Sequence, residues 1–371
     1  MAIVHDYLNQ FGGAERVVLA MSALWPDAPI HTSLYRPGSV YPEFRARDVR
    51  TSWVDRLPVD ERFRALAPVL PSAMRSLGVL RNDLVVSSSS GWAHGVRTAP
   101  GSTHVVYCYT PARWLYPRLT GGERPHPAAA LPLRALRRWD LGKARLPDGY
   151  IAISRLVADR IAAVYGRRSD VVYPPVDTSA FTPSPPGTRL LLVSRLLPYK
   201  RVDVAMAAAQ AAGVGLDIVG TGPLLEPLRA VAPKGVVLHG RVDDATLLEL
   251  FASCRAAILP GQEDFGLLPL EANASGKPVI ALAAGGALET VVDGRTGFLC
   301  PEPTADAFAA CIRRLDDLDA DPAVYARQAE RFSAEAFGRE LTAAIDRIRD
   351  RRDAPHTSRH GRGGTGAGGP R

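Results

Sequence analysis

Residues 259–281 read Leu-Pro-Gly-Gln-Glu-Asp-Phe-Gly-Leu-Leu-Pro-Leu-Glu-Ala-Asn-Ala-Ser-Gly-Lys-Pro-Val-Ile-Ala. The apolar start of this segment predicts the end of a strand, and the acidic part with its glycines predicts a loop. The middle predicts a short helix, and the final residues predict a second strand. Glu263 lies in the loop and Glu271 in the helix, with seven residues between them. The segment therefore predicts a strand–loop–helix–strand unit with one carboxylate on each side of its turn.

The turn between the two carboxylates has the chemistry of an anion site. Phe265-Gly266-Leu267-Leu268 opens the predicted helix, where backbone N–H groups lack an intrahelical partner and the helix dipole favours negative charge. Gly266 allows a ligand to approach the backbone closely. Carboxylates on either side can accept hydrogen bonds from hydroxyl groups. A sugar joined through a diphosphate to a ribose presents hydroxyls, an anion and hydroxyls in that order, so the segment predicts a site for such a molecule.

This string resembles the signature of the retaining glycosyltransferases of family 4, which have the GT-B fold. The resemblance rests on Glu263 and Glu271 at this spacing, on the Phe-Gly-Leu between them and on the Ala-Ser-Gly-Lys-Pro-Val that follows. It implies that Glu271 binds the nucleotide ribose and that Glu263 contacts the donor sugar. It also implies that Phe265, Gly266, Leu267 and Leu268 lie against the donor. For Glu271 taken alone, an ordinary exposed helix residue is the alternative.

Length and cysteine usage limit the class of protein. With 371 residues the chain exceeds what one hydrophobic core usually supports, so we expect two domains. Its four cysteines show no close paired spacing, which indicates free thiols in a reducing compartment rather than a zinc site. Met1–Val4 leads directly into polar residues, so no signal peptide is predicted, and no apolar run reaches the roughly 18 residues of a membrane span. We therefore expect a cytoplasmic protein.

The net charge of +7 and the isoelectric point near 9.4 indicate an anionic partner. The sequence contains no helix-turn-helix, zinc-finger or basic–aromatic sheet pattern, so nucleic acid is not an expected partner. An anionic membrane surface or an anionic substrate fits the charge better. Residues 56–81 and 133–141 alternate apolar and basic side chains, and solvated helix faces are the favoured interpretation of the first. A surface that rests on anionic lipid at the inner face of the membrane is the alternative.

Strands alternate with helices throughout both halves, which predicts an α/β protein with two doubly wound, Rossmann-like sheets facing a central cleft. Residues 1–182 form the predicted N-terminal acceptor domain, and residues 187–333 form the predicted donor domain. A Pro-rich linker joins the two. The resemblance implies that a C-terminal helix, residues 334–349, returns to the first domain. Residues 350–371 are rich in Arg, Gly and His and predict a disordered basic tail.

The N-terminal domain offers two candidate regions. A strand at Ala2–His5, a loop ending in Gly12-Gly13 and a helix form the first unit of a nucleotide-type sheet, and the loop is not a dinucleotide fingerprint. The resemblance implies that Gly12 and Gly13 face the donor phosphates. It also implies that His94, in a small-residue loop after a strand, reaches the donor sugar, with a structural histidine as the alternative. Tyr109 stands where relatives often carry a histidine, and the neighbouring Arg113 and Trp114 are candidate acceptor contacts or packing residues.

Arg195 and Lys200 follow a predicted strand in the donor domain, where cations can hold a diphosphate. The resemblance implies that these two side chains stabilise the leaving nucleoside diphosphate and that the loop around Val242 holds the base. Asp243-Asp244 and Asp316-Asp317 predict helix caps and helix surface rather than metal ligands. No metal and no cofactor are expected.

The resemblance thus implies a retaining, metal-independent glycosyltransferase whose catalytic set is His94, Arg195, Lys200 and Glu263. Similarity to mannosyltransferases favours mannose from GDP-mannose as the donor group and a hydroxyl of a glycan or lipid-linked molecule as the acceptor. A UDP-sugar-dependent enzyme of the same family is the first alternative. A GT-B sugar-nucleotide epimerase and a non-catalytic sugar-nucleotide-binding protein are the others.

Overall fold

A computed structural model of the chain describes residues 1–57, 69–117, 130–318 and 321–353. Residues 58–68, which belong to the first basic–apolar stretch, lie outside the described residues, as do residues 118–129 and the predicted tail from residue 354 onward. The predicted fold is confirmed: two parallel, helix-flanked sheets form two domains.

The N-terminal domain is built on a seven-stranded parallel sheet in the order β3-β2-β1-β5-β7-β8-β9. Its five central strands are buried on both faces, as expected for a parallel sheet covered by helices, whereas the edge strands β3 and β9 are partly exposed. They are β1 (Ala2–His5), β2 (Ile30–Thr32), β3 (Val49–Thr51), β5 (Leu84–Ser89), β7 (Thr103–Cys108), β8 (Gly149–Ala152) and β9 (Ser169–Val171). A separate pair joins β4 (Val79–Leu80) to β6 (Arg97–Thr98).

Four described helices accompany this sheet: α1 (Gly13–Leu24), α2 (Leu70–Ser76), α3 (Ala130–Lys143) and α4 (Arg155–Tyr165). Short 3₁₀ turns lie at Pro42–Ala46, Trp53–Arg56, Ala93–Gly95 and Thr178–Ala180. Helix α4 begins after Ser154, which caps it by accepting a hydrogen bond from the amide of Val157 at 3.2 Å. It ends at Gly166, whose φ of 64° suits a residue without a Cβ.

The C-terminal domain repeats the pattern with six parallel strands in the order β12-β11-β10-β13-β14-β15. The strands are β10 (Arg189–Val193), β11 (Gly215–Val219), β12 (Val236–Gly240), β13 (Cys254–Leu259), β14 (Val279–Leu282) and β15 (Gly297–Cys300). The helices are α5 (Val202–Ala212), α6 (Leu225–Ala230), α7 (Asp244–Ser253), α8 (Leu268–Ala274), α9 (Ala287–Thr290), α10 (Ala305–Arg313) and α11 (Pro322–Glu330). Two 3₁₀ turns lie at Pro198–Lys200 and Leu315–Asp317.

The last helix, α12 (Ala334–Asp353), packs on the N-terminal domain and ends four residues beyond the predicted boundary at residue 349. Its apolar face joins the core of the first sheet: a Cβ added to Gly149 would lie 2.6 Å from Ile348. Asp170 of β9 accepts hydrogen bonds from Arg351 at 2.7 Å and from Arg347 at 3.4 Å. These contacts fix the chain's return to its first domain.

Lys277 holds the linker between the domains. Its buried ammonium group donates to the backbone carbonyls of Ser184, at 2.8 Å, and Pro185. The cysteines are free and buried, but the prediction from sequence spacing missed one contact: Cys300 and Cys311 bring their Sγ atoms within 2.9 Å of each other. Among the described helices, none is long and apolar enough to cross a membrane.

Candidate functional site

The candidate site lies where both sheets reverse their strand order. In the first sheet the order reverses between β1 and β5, and in the second between β10 and β13. Ligands of doubly wound proteins bind outside the carboxyl ends of the strands at such points. Residues 195–200 follow β10 and residues 260–267 follow β13, so the predicted donor residues of the C-terminal domain share one edge of its sheet.

Lys200 and Glu263 form an ion pair at this edge. The Lys200 ammonium donates directly to Glu263 Oε1, and their side chains are 12% and 17% exposed. Close packing of backbones brings them together, since a Cβ on Gly261 would lie 2.8 Å from the Cα of Lys200. The backbone of Glu263 is held too, because its carbonyl accepts from the Gly286 amide at 3.0 Å. The sequence predicted both side chains but not their contact.

The loop before α8 presents backbone donors. Among the described residues, no acceptor is recorded for the amides of Gly266, Leu267 and Leu268. Gly266 has a φ of 86°, a conformation that glycine adopts without strain. Helix α8 spans only seven residues, so this loop offers an anion its unpaired amides more than a helix dipole. Across the cleft, a Cβ on Gly13 would lie 3.1 Å from Leu267, so the two predicted loops face each other.

Glu271 projects from α8 toward the N-terminal domain. Its carboxylate accepts a hydrogen bond from the Arg16 guanidinium of α1 at 2.9 Å. Burial raises the pKa of Glu271, and the attraction of Arg16 offsets only part of that rise. Arg16 also donates to the Tyr41 hydroxyl at 2.9 Å. Glu271 is therefore an enclosed carboxylate with one cationic partner supplied by the opposite domain, a contact that the sequence did not predict.

Phe265 does not line the open part of this site. Its ring is buried, stacks on Tyr173 at 5.6 Å between centroids, and lies 5.9 Å from Phe332. The ring thus belongs to the core of the N-terminal domain, although Phe265 lies in the loop that follows β13 of the other sheet. Its position links the donor loop to the opposite domain. In this geometry the Phe265 ring does not face the donor site.

Arg195 and Val242 lie in the loops that follow β10 and β12 of the second sheet. Arg195 is exposed, and within the described part of the chain no hydrogen bond or ion pair is recorded for its side chain. Val242 packs partly buried beside the core, and its neighbour Arg241 lies over the Phe11 ring at 4.7 Å. Asp243 caps α7, as predicted, by accepting from the Thr246 amide at 2.8 Å.

His94 lies inside the N-terminal domain. Its side chain is 2% exposed, Nε2 lies 3.2 Å from Asp140 Oδ1, and the rings of Trp139 and Tyr165 are each 5.9 Å away. This is the structural alternative that the sequence left open. In this arrangement the imidazole contacts α3 and α4 rather than an open cleft, so its predicted contact with a donor sugar needs a rearrangement of those helices.

Several polar residues that sequence reasoning passed over organise the loops. Asp6, at the end of β1, accepts from the amides of Ser90, Trp92 and Ala93 at 2.6, 2.9 and 2.7 Å, and so shapes the loop that carries His94. Beside Gly12, Glu15 is fully buried and accepts from Gln10 at 3.0 Å. The position of Asp6 directly after a buried strand was the available signal.

The predicted acceptor residues have structural partners. The Tyr109 hydroxyl donates to the carbonyl of Ala14 at 3.0 Å, which ties β7 to the start of α1. Trp114 lies edge-on to Trp92 at 6.3 Å. The Arg113 guanidinium donates to Asp264, in the donor loop. Of these three residues, Arg113 is the one whose side chain bonds to the second domain within the described part of the chain.

A cavity of about 490 Å³ lies between the domains beside the Lys200–Glu263 pair. It is lined on one side by Arg113, Leu156 and Arg160 and on the other by Tyr199, Gln262 and Asp264. Across residues 1–57, 69–117, 130–318 and 321–353, no three His, Cys, Asp or Glu side chains are grouped so as to hold a metal ion.

Two family models match the chain in sequence. The model described as Glycosyltransferase Family 4 covers residues 11–180, and the model described as Glycosyl transferases group 1 covers residues 187–317. The two matches leave out β1, the linker and everything after residue 317, which includes α11 and α12.

Characterised relatives match part of the chain. D-inositol 3-phosphate glycosyltransferase from Paenarthrobacter aurescens is 30% identical over 274 residues, which are 61% of this chain and 61% of that protein. A GDP-mannose-dependent alpha-(1-6)-phosphatidylinositol monomannoside mannosyltransferase from Mycolicibacterium smegmatis is 32% identical over 204 residues, 46% of this chain and 52% of that protein. The chain therefore aligns with less than two thirds of each relative.

Solved structures match nearly the whole chain. HepE from Anabaena, in complex with UDP and glucose, has a TM-score of 0.69 at 20% identity and covers 93% of this chain and 99% of its own. Sucrose-phosphate synthase from Thermosynechococcus elongatus has a TM-score of 0.67 at 17% identity, with 95% and 100% coverage. At this identity the likeness shows the shared GT-B fold.

Proposed function

The chain belongs to the family 4 glycosyltransferases of the GT-B fold, and from this premise we propose that it transfers a sugar from a nucleoside diphosphate sugar to a hydroxyl acceptor. The observation that carries the proposal is the arrangement at the end of β13. There two carboxylates and three free amides at Gly266–Leu268 lie on one short segment, and the Lys200 cation, which follows β10, pairs with the first of those carboxylates. The cation and the amides match the diphosphate of a nucleoside diphosphate sugar, and the two carboxylates match the hydroxyls of its sugar and its ribose.

The proposed chemistry is charge stabilisation of the leaving diphosphate. The bond between the sugar's anomeric carbon and the diphosphate breaks, and negative charge develops on the diphosphate oxygen. Lys200, the neighbouring Arg195 and the loop amides are placed to stabilise that charge. The acceptor oxygen bonds to the anomeric carbon from the face that the diphosphate leaves, and its proton passes to a diphosphate oxygen. Configuration is thereby retained, and no covalent enzyme intermediate is needed.

In this proposal the two carboxylates orient the ends of the donor. Glu271 accepts hydrogen bonds from the ribose hydroxyls in place of Arg16, and Glu263 contacts the donor sugar while it remains beside Lys200. The reaction needs no metal ion. A direct check is turnover after exhaustive chelation: an unchanged rate is expected, and an activity restored only by added divalent metal would contradict this part.

We favour mannose from GDP-mannose as the donor. The support is the sequence match to the GDP-mannose-dependent mannosyltransferase of Mycolicibacterium smegmatis, which is named for that donor. A UDP sugar is the alternative, and the HepE complexes with UDP and glucose are its precedent within the fold. Nucleotide release from a panel of GDP and UDP sugars separates the two. GDP release from GDP-mannose is the expected result, whereas release of UDP alone would overturn the choice.

A glycan or a lipid-linked molecule is the proposed acceptor. The cavity of about 490 Å³ beside the donor residues has room for a sugar-sized group, and polar side chains line it. Two other functions give distinct products. An epimerase would change the donor sugar without any acceptor, and a binding protein would leave the donor intact. Mass spectrometry of a reaction with and without acceptor tells the three apart.

Contact with an anionic membrane surface is also part of this proposal. Helix α3 supports it, because Leu131 is 78% exposed and lies on the same face of the helix as Arg134 and Arg138. Vesicle flotation provides the test. Recovery with phosphatidylglycerol vesicles, but not with neutral ones, is expected and should fall in a Leu131→Ser variant. Equal recovery with both vesicle types, or none with either, would remove membrane contact from the proposal.

A further inference from the structure

Asp264, the residue after Glu263, makes an ion triad across the domain boundary. Arg113 donates to its Oδ2 and Arg160 donates to its Oδ1, so separate guanidinium groups occupy both carboxylate oxygens. The carboxylate is 15% exposed. The backbone of Asp264 is held as well, because the Ser154 hydroxyl donates to its carbonyl at 2.6 Å. Three contacts therefore converge on a single residue of the donor loop.

All three partners of Asp264 come from the opposite domain. Arg113 follows β7, Ser154 caps α4 and Arg160 lies within α4, whereas Asp264 lies between β13 and α8. These contacts exist only when the two domains are close together. Enclosed ion pairs contribute little net stability compared with apolar packing, so a triad at this place points to control of geometry rather than to stability alone.

The triad acts on the residue that is proposed to orient the donor sugar. Glu263 immediately precedes Asp264, and the Glu263 carbonyl is already fixed by the Gly286 amide at 3.0 Å. With Asp264 also fixed, the peptide between them has little freedom, and the Glu263 side chain is directed toward Lys200. When the domains separate, the contacts that fix Asp264 are lost, while the hydrogen bond from the Gly286 amide to the Glu263 carbonyl remains.

We propose that Asp264 is a positioning residue. Its pairs with Arg113 and Arg160 hold the domains in the closed arrangement and thereby set Glu263 against the donor sugar while water is excluded. The inference rests on the proposed sugar transfer, since it states how that site is assembled. Closure of this kind protects an activated sugar from hydrolysis and places the reacting groups.

The test compares Asp264→Asn with a matched control, Asp217→Asn. Asp217 is also an enclosed carboxylate with two side-chain partners, accepting from Arg189 at 2.6 Å and contacting His239 Nε2 at 2.8 Å. Its triad, however, lies wholly within the C-terminal domain. Both variants lose one carboxylate charge from a triad, but only Asp264→Asn weakens a contact between domains.

We expect Asp264→Asn to lower kcat by about 10²-fold, the usual effect of a misplacement near 1 Å. The KM for donor should change by less than about threefold, since Asp264 does not touch the donor in this scheme. The fraction of donor lost to hydrolysis should rise. Asp264→Glu, which keeps the charge, should recover at least part of kcat, and Asp217→Asn should change neither kcat nor the hydrolysis fraction.

A second measurement does not depend on turnover. Small-angle scattering with saturating GDP or UDP should give a larger radius of gyration for Asp264→Asn than for the native chain or Asp217→Asn. Equal radii in all three proteins, or native kcat and an unchanged hydrolysis fraction in Asp264→Asn, would overturn the inference. If the native chain splits no sugar nucleotide, the proposed transfer fails, and the scattering comparison alone then decides whether the triad holds the domains together.

Discussion

Replacing Lys200 by alanine probes the charge on which the proposed chemistry depends. The Lys200 ammonium is 12% exposed and directly contacts Glu263, so it acts in an enclosed setting where charges are weakly screened. At a separation of about 4 Å and an effective dielectric constant of about 20, a cation and a diphosphate oxygen attract by about 4 kcal/mol. Each 1.36 kcal/mol corresponds to about a tenfold change in rate.

The full attraction is an upper bound, because diphosphate is already charged before the bond breaks and only the increase on the leaving oxygen accelerates the reaction. Loss of one preorganised donor in comparable sites costs about 10²- to 10³-fold in kcat. We therefore expect Lys200→Ala to lower kcat by about 10²- to 10³-fold, with a smaller rise in donor KM. Lys200→Arg keeps the charge and should lose less.

The assay is nucleotide release under saturating donor, and the matched control is Arg189→Ala. Arg189 pairs with Asp217 at 2.6 Å in the same domain, but at the opposite end of β10 from Lys200. Both variants lose a cation from an ion pair, so a loss of rate specific to Lys200 reports on its position at the site. Turnover by Lys200→Ala within about threefold of the native rate would refute the charge-stabilisation argument.

Three further predictions concern the same region. Burial raises the pKa of Glu271, so this carboxylate becomes protonated at a higher pH than an ordinary glutamate. Nucleotide affinity should therefore begin to fall at that higher pH as the pH is lowered. Calorimetry on Glu271→Gln should show weak binding that lacks this pH dependence. Phe265→Ala should lower the free energy of unfolding by about 3–5 kcal/mol in urea titrations, and Phe265→Leu by about 1 kcal/mol. A loss of nucleotide affinity without a loss of stability would instead mark the ring as a donor contact. Lys277→Met leaves two linker carbonyls without their donor and should cost about 3 kcal/mol; an unchanged urea midpoint would contradict the role assigned to this lysine.

The fold could be predicted from the sequence because each strand and helix is determined largely by the residues within it and at its ends. Buried apolar strands such as Leu190–Val193 alternate with helices whose ends carry their own signals, including Ser154 at the start of α4. Parallel strands joined by helices leave few topologies open, and their carboxyl ends must meet at one edge. The position of Lys200 and Glu263 at that edge followed from the order of elements alone.

Partners from distant parts of the chain were not predictable in this way. Arg16 and Glu271 are 255 positions apart, and Arg113 and Asp264 are 151 apart. No local pattern states which surface charges face each other once two domains close. Such pairs depend on the relative placement of the two sheets, which no periodicity or spacing encodes.

Burial decided the residues for which the sequence left two interpretations open. His94 follows a strand, as a ligand residue would, but Trp139 and Tyr165 of neighbouring helices cover it. Phe265 lies within the donor signature, but the aromatic cluster around Tyr173 surrounds its ring. A motif fixes the position of a residue along the chain. The packing of other elements then determines whether its side chain faces the cleft or the core.

The most direct test of the central claim is a crystal structure of the chain with a bound nucleoside diphosphate. The account predicts ribose hydroxyls within hydrogen-bonding distance of Glu271, with Arg16 displaced. It also predicts diphosphate oxygens beside Lys200 and the Gly266–Leu268 amides. A nucleotide bound at any other place, with Glu271 still paired to Arg16, would contradict it.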